Sequence, residues 1–118
     1  MKKTDKKLDN QICKVLTNAC ETAKSQVDGF QWLTHLVNYN QFPESLLIIC
    51  IFDTKTELEQ AQQESQNLVI VSLIKNELKQ INIRFNDIKS HVLFDTEEAC
   101  EVQHNGNWQK RFKDISIK

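Results

Sequence analysis

An uninterrupted apolar run at residues 46–52 constrains the fold of this chain more than any other feature of its sequence. A run of this length between the polar residues Ser45 and Asp53 is typical of a strand that is buried on both faces. A helix that spans a bilayer needs about 20 apolar residues, so the run predicts no transmembrane segment. The sequence therefore predicts a central strand with further structure packed against each face.

Residues that favour turns are scarce, which limits the number of strands that the chain can form. There are two glycines, Gly29 and Gly106, and one proline, Pro43. A sandwich or barrel of many strands needs more frequent turns, so we expect helices to make up much of the fold. The 118 residues lie within the usual size of one domain, and we expect residues 1–118 to form a single domain.

The first part of the chain predicts a helix followed by a strand. Apolar residues recur every three or four positions from residue 4 to residue 27, which indicates an amphipathic helix that ends before Gly29. Residues 30–37 alternate in the manner of a strand, and the polar loop 38–45 follows. The alternation predicts that one face of this strand carries Phe30, Trp32, Thr34 and Leu36.

The centre of the chain carries a helix-start signature. Thr54 and Glu57 have the spacing of a capping box, in which each side chain bonds the backbone amide of the other residue. They predict a helix from residue 54 to residue 81, with a bend or break near Asn67, where a polar stretch gives way to an apolar one. Residues 69–74 alone also fit a strand, but the helical spacing continues beyond them and favours the helix.

The sequence of the last third of the chain predicts a strand, a helix and a C-terminal tail, for which it does not specify one conformation. Residues 91–94 are a short apolar run that predicts a strand. Residues 95–98, with the sequence Asp-Thr-Glu-Glu, predict a second capping box and a helix to about residue 104. Residues 107–118 fit either a short helix or an extended arm packed on the core.

These elements define a fold class. The sequence Phe-Asp-Thr occurs at residues 52–54 and again at 94–96, each time where a strand meets a helix. A strand, a helix and a further strand normally form a parallel crossover, so both junctions should lie at one edge of the sheet. We expect an α/β fold of the mixed α+β kind, in the order α-β-β-α-β-α, with helices packed on a small three-stranded mixed sheet.

Asp53 and Asp95 are the candidate ligand or metal residues at that edge, where open α/β sheets usually bind ligands. Two carboxylates there could hold a divalent metal ion or transfer a proton. Helix capping also favours Asp at such positions, and we prefer this structural interpretation. Cys100 and His104 share a helix face, but two ligands are too few for a zinc site. The sequence thus predicts no catalytic residue, metal site or cofactor.

The C-terminal segment contains the candidate nucleic-acid-binding residues. Aromatic and basic residues alternate there as in proteins that hold single-stranded nucleic acid by stacking and charge. The alternative, which we prefer, is that the aromatic side chains pack on the core while the basic ones face water. Both termini are basic, although the net charge of the chain is −1. The candidate residues are Trp108, Lys110, Arg111 and Lys113.

The cysteines and the N-terminus predict where the protein is located. The four cysteines form no C-x-x-C pair and lie among apolar neighbours, so we expect reduced, buried, structural thiols. The first residues are rich in lysine and lack the apolar stretch of a secretory signal. We therefore expect a cytoplasmic protein without a membrane partner. The cysteines are Cys13, Cys20, Cys50 and Cys100.

Three segments carry a resemblance to known proteins: TDKKLDN at residues 4–10, DGFQWLTHLVNY at 28–39 and GNWQKR at 106–111. They resemble a family of short, uncharacterised bacterial proteins that often carry the label "Fis family transcriptional regulator". The resemblance covers nearly the whole chain. It implies no established activity and no known binding residues.

The sequence leaves three hypotheses about function. The first is a non-enzymatic binding or interaction protein, homodimeric or with an unknown protein partner. The second is a nucleic-acid-binding transcriptional regulator that uses the basic termini. The third is a metal-dependent enzyme that uses Asp53 and Asp95.

Overall fold

The structure is a computed structural model that describes residues 2–116, so the last two residues of the predicted tail, 117 and 118, lie outside it. The helices are α1 (Lys3–Gln26), α2 (Lys55–Gln63), α3 (Gln66–Lys79), α4 (Glu97–His104) and α5 (Trp108–Ser116). The strands are β1 (Phe30–Leu36), β2 (Leu47–Phe52) and β3 (Val92–Thr96), with 3-10 turns at Tyr39–Gln41 and Ile88–His91. Within residues 2–116, no helix is long and apolar enough to cross a membrane.

The three strands form one mixed sheet in the order β1-β2-β3. β1 runs antiparallel to β2, and β3 runs parallel to it, with Phe52 opposite Thr96. The predicted α+β fold with a small mixed sheet is confirmed. The parallel pairing also confirms that the two Phe-Asp-Thr junctions lie at the same edge of the sheet.

Both faces of β2 are buried, as its continuous apolar sequence predicts. Ile48, Cys50 and Phe52 belong to the core cluster that α1 and α3 complete. Ile49 and Ile51 point to the opposite face and are also fully buried. On that face, the ring of Trp32, which is paired with Ile51, lies 5.2 Å from the ring of Trp108 in α5. The sheet therefore has helices on both sides.

A β-bulge corrects the predicted alternation of β1. Phe30 pairs with Phe52 and Trp32 pairs with Ile51, so the strand contains one extra residue, Gln31, between two successive pairs. An extra residue changes the face of the sheet to which the side chains beyond it point. Phe30 thus joins the core cluster, where its ring lies 5.8 Å from that of Phe52, instead of sharing a face with Trp32. Strand alternation alone does not reveal such an insertion.

The predicted helix over residues 54–81 is two helices. α2 and α3 are separated at Ser65, which has a left-handed backbone with φ of 60°, close to the predicted break near Asn67. Residues 69–74 are helical, as the longer spacing favours. The C-terminal tail is helical from Trp108 to Ser116. The sequence had fitted either a helix or an extended arm there.

Threonines, not aspartates, cap the two helices that follow the sheet. Thr54 accepts a hydrogen bond from the Glu57 amide at 3.1 Å, which confirms the predicted start of α2. Thr96 accepts from the Ala99 amide at 3.0 Å, so the capping box predicted between Asp95 and Glu98 is wrong. The strand continues through Asp95, and the helix can begin only after it.

Replacing Thr96 with alanine should lower the free energy of unfolding by about 1 kcal/mol, because a buried amide would lose its acceptor. Thr54→Ala should have a similar effect. Asp53→Asn is the matched control and should change stability by less than about 0.5 kcal/mol, because Asp53 is exposed and caps neither helix. Urea denaturation of the three variants measures these differences. An Asp53→Asn loss as large as that of Thr96→Ala would contradict the assignment of the caps.

Candidate functional site

The structure gives Asp53 and Asp95 different partners. Asp53 is exposed, and its backbone carbonyl accepts a hydrogen bond from the Glu98 amide at 3.0 Å. The Glu98 carboxylate in turn accepts from the Lys55 amide at 2.8 Å, in the first turn of α2. These bonds join the two strand-helix junctions to one another.

Asp95 is paired with Arg111 of α5. The guanidinium donates from Nε to Oδ2 at 2.5 Å and from Nη2 to Oδ1 at 2.8 Å, a bidentate arrangement in which each side chain is less than 15% exposed. The remaining nitrogen, Nη1, donates to Gln103 at 2.9 Å and to His104 Nδ1 at 3.2 Å. Each guanidinium nitrogen that Arg111 would offer to a phosphate thus has a partner within the protein.

Trp108 is also engaged inside the protein. Its ring packs edge-on against Trp32 and lies 5.2 Å from Phe112. The Glu97 carboxylate accepts from both indoles, from Trp32 at 2.6 Å and from Trp108 at 3.4 Å. Lys110 is exposed on the outer side of α5, as is Lys113. The aromatic residues of the C-terminal segment hold α5 on the sheet, so they do not form an open stacking surface.

A different group of side chains forms the candidate site, and sequence reasoning missed it. Asp9 and Cys13 lie one turn apart in α1, and His35 of β1 faces them. One ligand atom from each residue lies within 4.8 Å of the other two. In the described part of the chain, 2–116, this is the one group of three metal-ligating side chains so close together.

Hydrogen bonds fix the position of the Asp9 carboxylate. His35 Nε2 donates to Asp9 Oδ1 at 3.0 Å, and the Tyr39 hydroxyl donates to the same oxygen at 2.5 Å. The bonds from Tyr39 and His35 lower the pKa of Asp9, so the carboxylate is ionised at neutral pH. An ionised carboxylate with its own hydrogen-bond partner is an oriented ligand for a cation.

Cys13 corrects the prediction that all four thiols are buried. Cys50 and Cys100 are fully buried, but Cys13 is exposed and Cys20 is partly exposed. Partial desolvation and the neighbouring Asp9 charge raise the pKa of the Cys13 thiol. The thiol is therefore protonated at neutral pH, which is unlike the thiolate of a nucleophilic cysteine.

A cleft of about 380 Å³ opens beside the cluster, between α1 and β1. Cys13 and His35 line it together with Cys20, Leu33 and Lys24. A ligand held at the cluster would therefore remain accessible from one side. The cleft lies beside the cluster because α1 packs on the face of β1 that carries Leu33 and His35.

One signal in the sequence points to this cluster. Asp9 and Cys13 are spaced i to i+4, which places both on one side of a helix. The third residue, His35, lies 22 positions further along the chain, and no periodicity relates a strand residue to a particular turn of a helix. The pair was visible in the sequence, but its partner could be identified only from the way in which α1 crosses the sheet.

No protein-family model matches the chain, and neither the curated proteins nor the solved structures provide a match. The resemblance to short bacterial proteins labelled as Fis-family regulators therefore stays a prediction.

Proposed function

We propose that this protein is a non-enzymatic binding protein whose ligand is a transition-metal ion of the Zn²⁺ type, held by Asp9, Cys13 and His35. The observation that carries the proposal is the convergence of a carboxylate oxygen, a thiol sulfur and an imidazole nitrogen within 4.8 Å. Mixed sets of oxygen, sulfur and nitrogen ligands suit Zn²⁺ and neighbouring metals, whereas Ca²⁺ and Mg²⁺ require oxygen alone.

The geometry is compatible with a tetrahedral ion. Bonds of about 2.0–2.3 Å at tetrahedral angles place ligand atoms about 3.3–3.6 Å apart. His35 Nε2 and Asp9 Oδ1 already lie 3.0 Å apart, and an ion would take the place of their hydrogen bond. The Cys13 sulfur, which lies within 4.8 Å of the other two ligand atoms, would have to approach them by up to about 1 Å, which side-chain rotation can provide because Cys13 is exposed. Tyr39 already donates to the carboxylate, and such an outer hydrogen bond commonly orients a metal ligand.

Three protein ligands leave a fourth position for water or an added ligand, on the side of the cleft. An open position by itself is also typical of catalytic zinc sites. The protonated Cys13 thiol lacks the nucleophilic character of a catalytic cysteine, which supports a binding role. Free thiols are metal ligands only where they stay reduced, which agrees with the proposed cytoplasmic location.

Zn²⁺ should bind one site per chain, with an affinity that competition with a chromophoric chelator can measure. Cys13→Ser and His35→Gln should each weaken binding roughly 100-fold, since each removes a ligand, and Tyr39→Phe should weaken it about 10-fold. Cys20→Ser is the matched control, because Cys20 lies in the same helix and the same cleft but outside the cluster. Affinity should rise with pH through the neutral range, because the metal must displace the thiol proton.

Equal Zn²⁺ affinities of wild type, Cys13→Ser and His35→Gln would reject the site. Loss of binding in Cys20→Ser alone would place the metal elsewhere in the cleft. The same proteins tested with labelled single-stranded and duplex DNA would address the nucleic-acid alternative, for which tight binding at physiological salt would be the supporting result.

A further inference from the structure

A second cleft, at the C-terminal end of α3, shares no residue with the candidate metal site. We call it the α3-end cleft; it has a volume of about 220 Å³. Its apolar floor consists of Leu78, Ile83, Phe85 and Ile88. Its rim carries three cationic side chains, Lys75, Lys79 and Arg84.

The end of α3 fixes the shape of this floor. The Ile83 amide donates to the Leu78 carbonyl at 3.0 Å, and the Asn82 amide donates to the Lys79 carbonyl at 3.0 Å. Asn82 has a left-handed backbone with φ of 62°, so the turn is a Schellman motif. This motif folds Ile83 back onto Leu78. The two buried side chains therefore meet because of the way in which the helix ends.

The opposite wall is tied to the sheet. The ring of Phe85 stacks on that of His91, with centroids 3.8 Å apart. His91 Nδ1 donates to the Leu46 carbonyl at 2.7 Å, next to the central strand. A loop held at one end by a helix cap and at the other by this stack presents a pre-formed cleft, and pre-formed sites bind at a lower entropic cost.

The charges of the rim are all of one sign. None of the side chains that line the cleft is acidic. Among residues 2–116, no ion pair or side-chain hydrogen bond engages Lys75, Lys79 or Arg84. A helix C-terminus attracts cations in its last turn, which accounts for Lys79. Arg84 lies in the loop after α3, so the dipole of that helix does not account for its positive charge at the rim.

We propose that the α3-end cleft binds a small organic anion, a monocarboxylate with an apolar body. The apolar floor would take the body of the ligand, and the cations of the rim would hold its carboxylate at the surface. The volume is below the roughly 300–1,000 Å³ usual for drug-sized ligands, so the ligand must be smaller than these. This inference does not depend on the metal site.

Octanoate is a suitable probe. 1-Octanol is the control that lacks the charge, and butyrate is the control that has a shorter apolar chain. In isothermal calorimetry on the full chain, octanoate should bind with saturation, and both 1-octanol and butyrate should bind more weakly. An exposed charge pair contributes up to about 1 kcal/mol, so removing the carboxylate charge or one cation should weaken binding about fivefold. Raising the salt concentration should also weaken octanoate binding.

Lys79→Gln and Arg84→Gln test the rim, because both residues are exposed and neither substitution disturbs the core. Each should weaken octanoate binding about fivefold and leave 1-octanol binding unchanged. Lys89→Gln is the matched control, an exposed lysine close in sequence but outside the cleft, and should bind octanoate like wild type. Equal affinity for octanoate and 1-octanol, no octanoate binding, or an unchanged affinity in both rim variants would overturn the proposal.

Discussion

Arg111→Ala should lower the free energy of unfolding by about 3 kcal/mol, the largest effect that we expect from any residue of the basic C-terminal segment. The substitution leaves the Asp95 carboxylate, which is 14% exposed, without its bidentate partner. It also removes the donors that reach Gln103 and His104 from α5. Truncating one member of a mostly buried ion pair is costly because the remaining charge is poorly solvated. Thermal and urea unfolding would both report the loss.

Lys110→Ala is the matched control, one residue away on the same helix and exposed, and should change stability by less than about 0.5 kcal/mol. The double variant Asp95→Ala/Arg111→Ala should be less destabilised than the sum of the two single variants, since the two residues interact directly. Arg111→Ala as stable as Lys110→Ala would contradict the structural role of Arg111 and return it to the nucleic-acid hypothesis.

Phe52→Ala should cost about 4 kcal/mol, because it removes a large side chain from the centre of the core. Phe52 is fully buried, and its ring lies 5.8 Å from that of Phe30 and 6.3 Å from that of Phe94. The cavity would lie between the sheet and the helices on one face, where β2 is held on both sides by other strands and cannot collapse into it.

Leu93→Ala is the comparison, a residue of the neighbouring strand β3 that is 40% exposed. It should cost about 1 kcal/mol, because less apolar surface is lost and no closed cavity forms. Chemical denaturation of both variants measures the difference. Similar losses for Phe52→Ala and Leu93→Ala would show that the core is not centred on this face of β2.

The fold could be predicted well because its main signals are local. The apolar run of β2, the periodicity of α1 and the threonine at the start of α2 each predict one element from neighbouring residues. The parallel crossover then follows from the order of the elements. The error at Phe30 has a different origin, since the bulge is decided by the fit of β1 against β2, and residues far apart in the chain determine that fit.

The candidate site was less predictable, because its residues are brought together by packing. Sequence reasoning selected Asp53 and Asp95 from their positions at strand ends. Asp95 forms an ion pair with Arg111, which lies 16 residues later in the chain. The same contact engages Arg111, which is one of the candidate nucleic-acid-binding residues. The cluster of Asp9, Cys13 and His35 likewise depends on how α1 crosses the sheet. Residue type and spacing identify which side chains can act, and tertiary packing decides which of them meet.

Cobalt substitution tests the central claim most directly, because Co²⁺ reports both its geometry and its ligands. If Asp9, Cys13 and His35 hold the ion, one equivalent of Co²⁺ should give the intense visible bands of a tetrahedral ion. A near-ultraviolet charge-transfer band from a bound thiolate should accompany them, and Zn²⁺ should abolish both. Cys13→Ser should remove the charge-transfer band, whereas Cys20→Ser should retain it. A spectrum of six-coordinate Co²⁺ without a thiolate band, or a thiolate band that persists in Cys13→Ser, would contradict the proposed metal site.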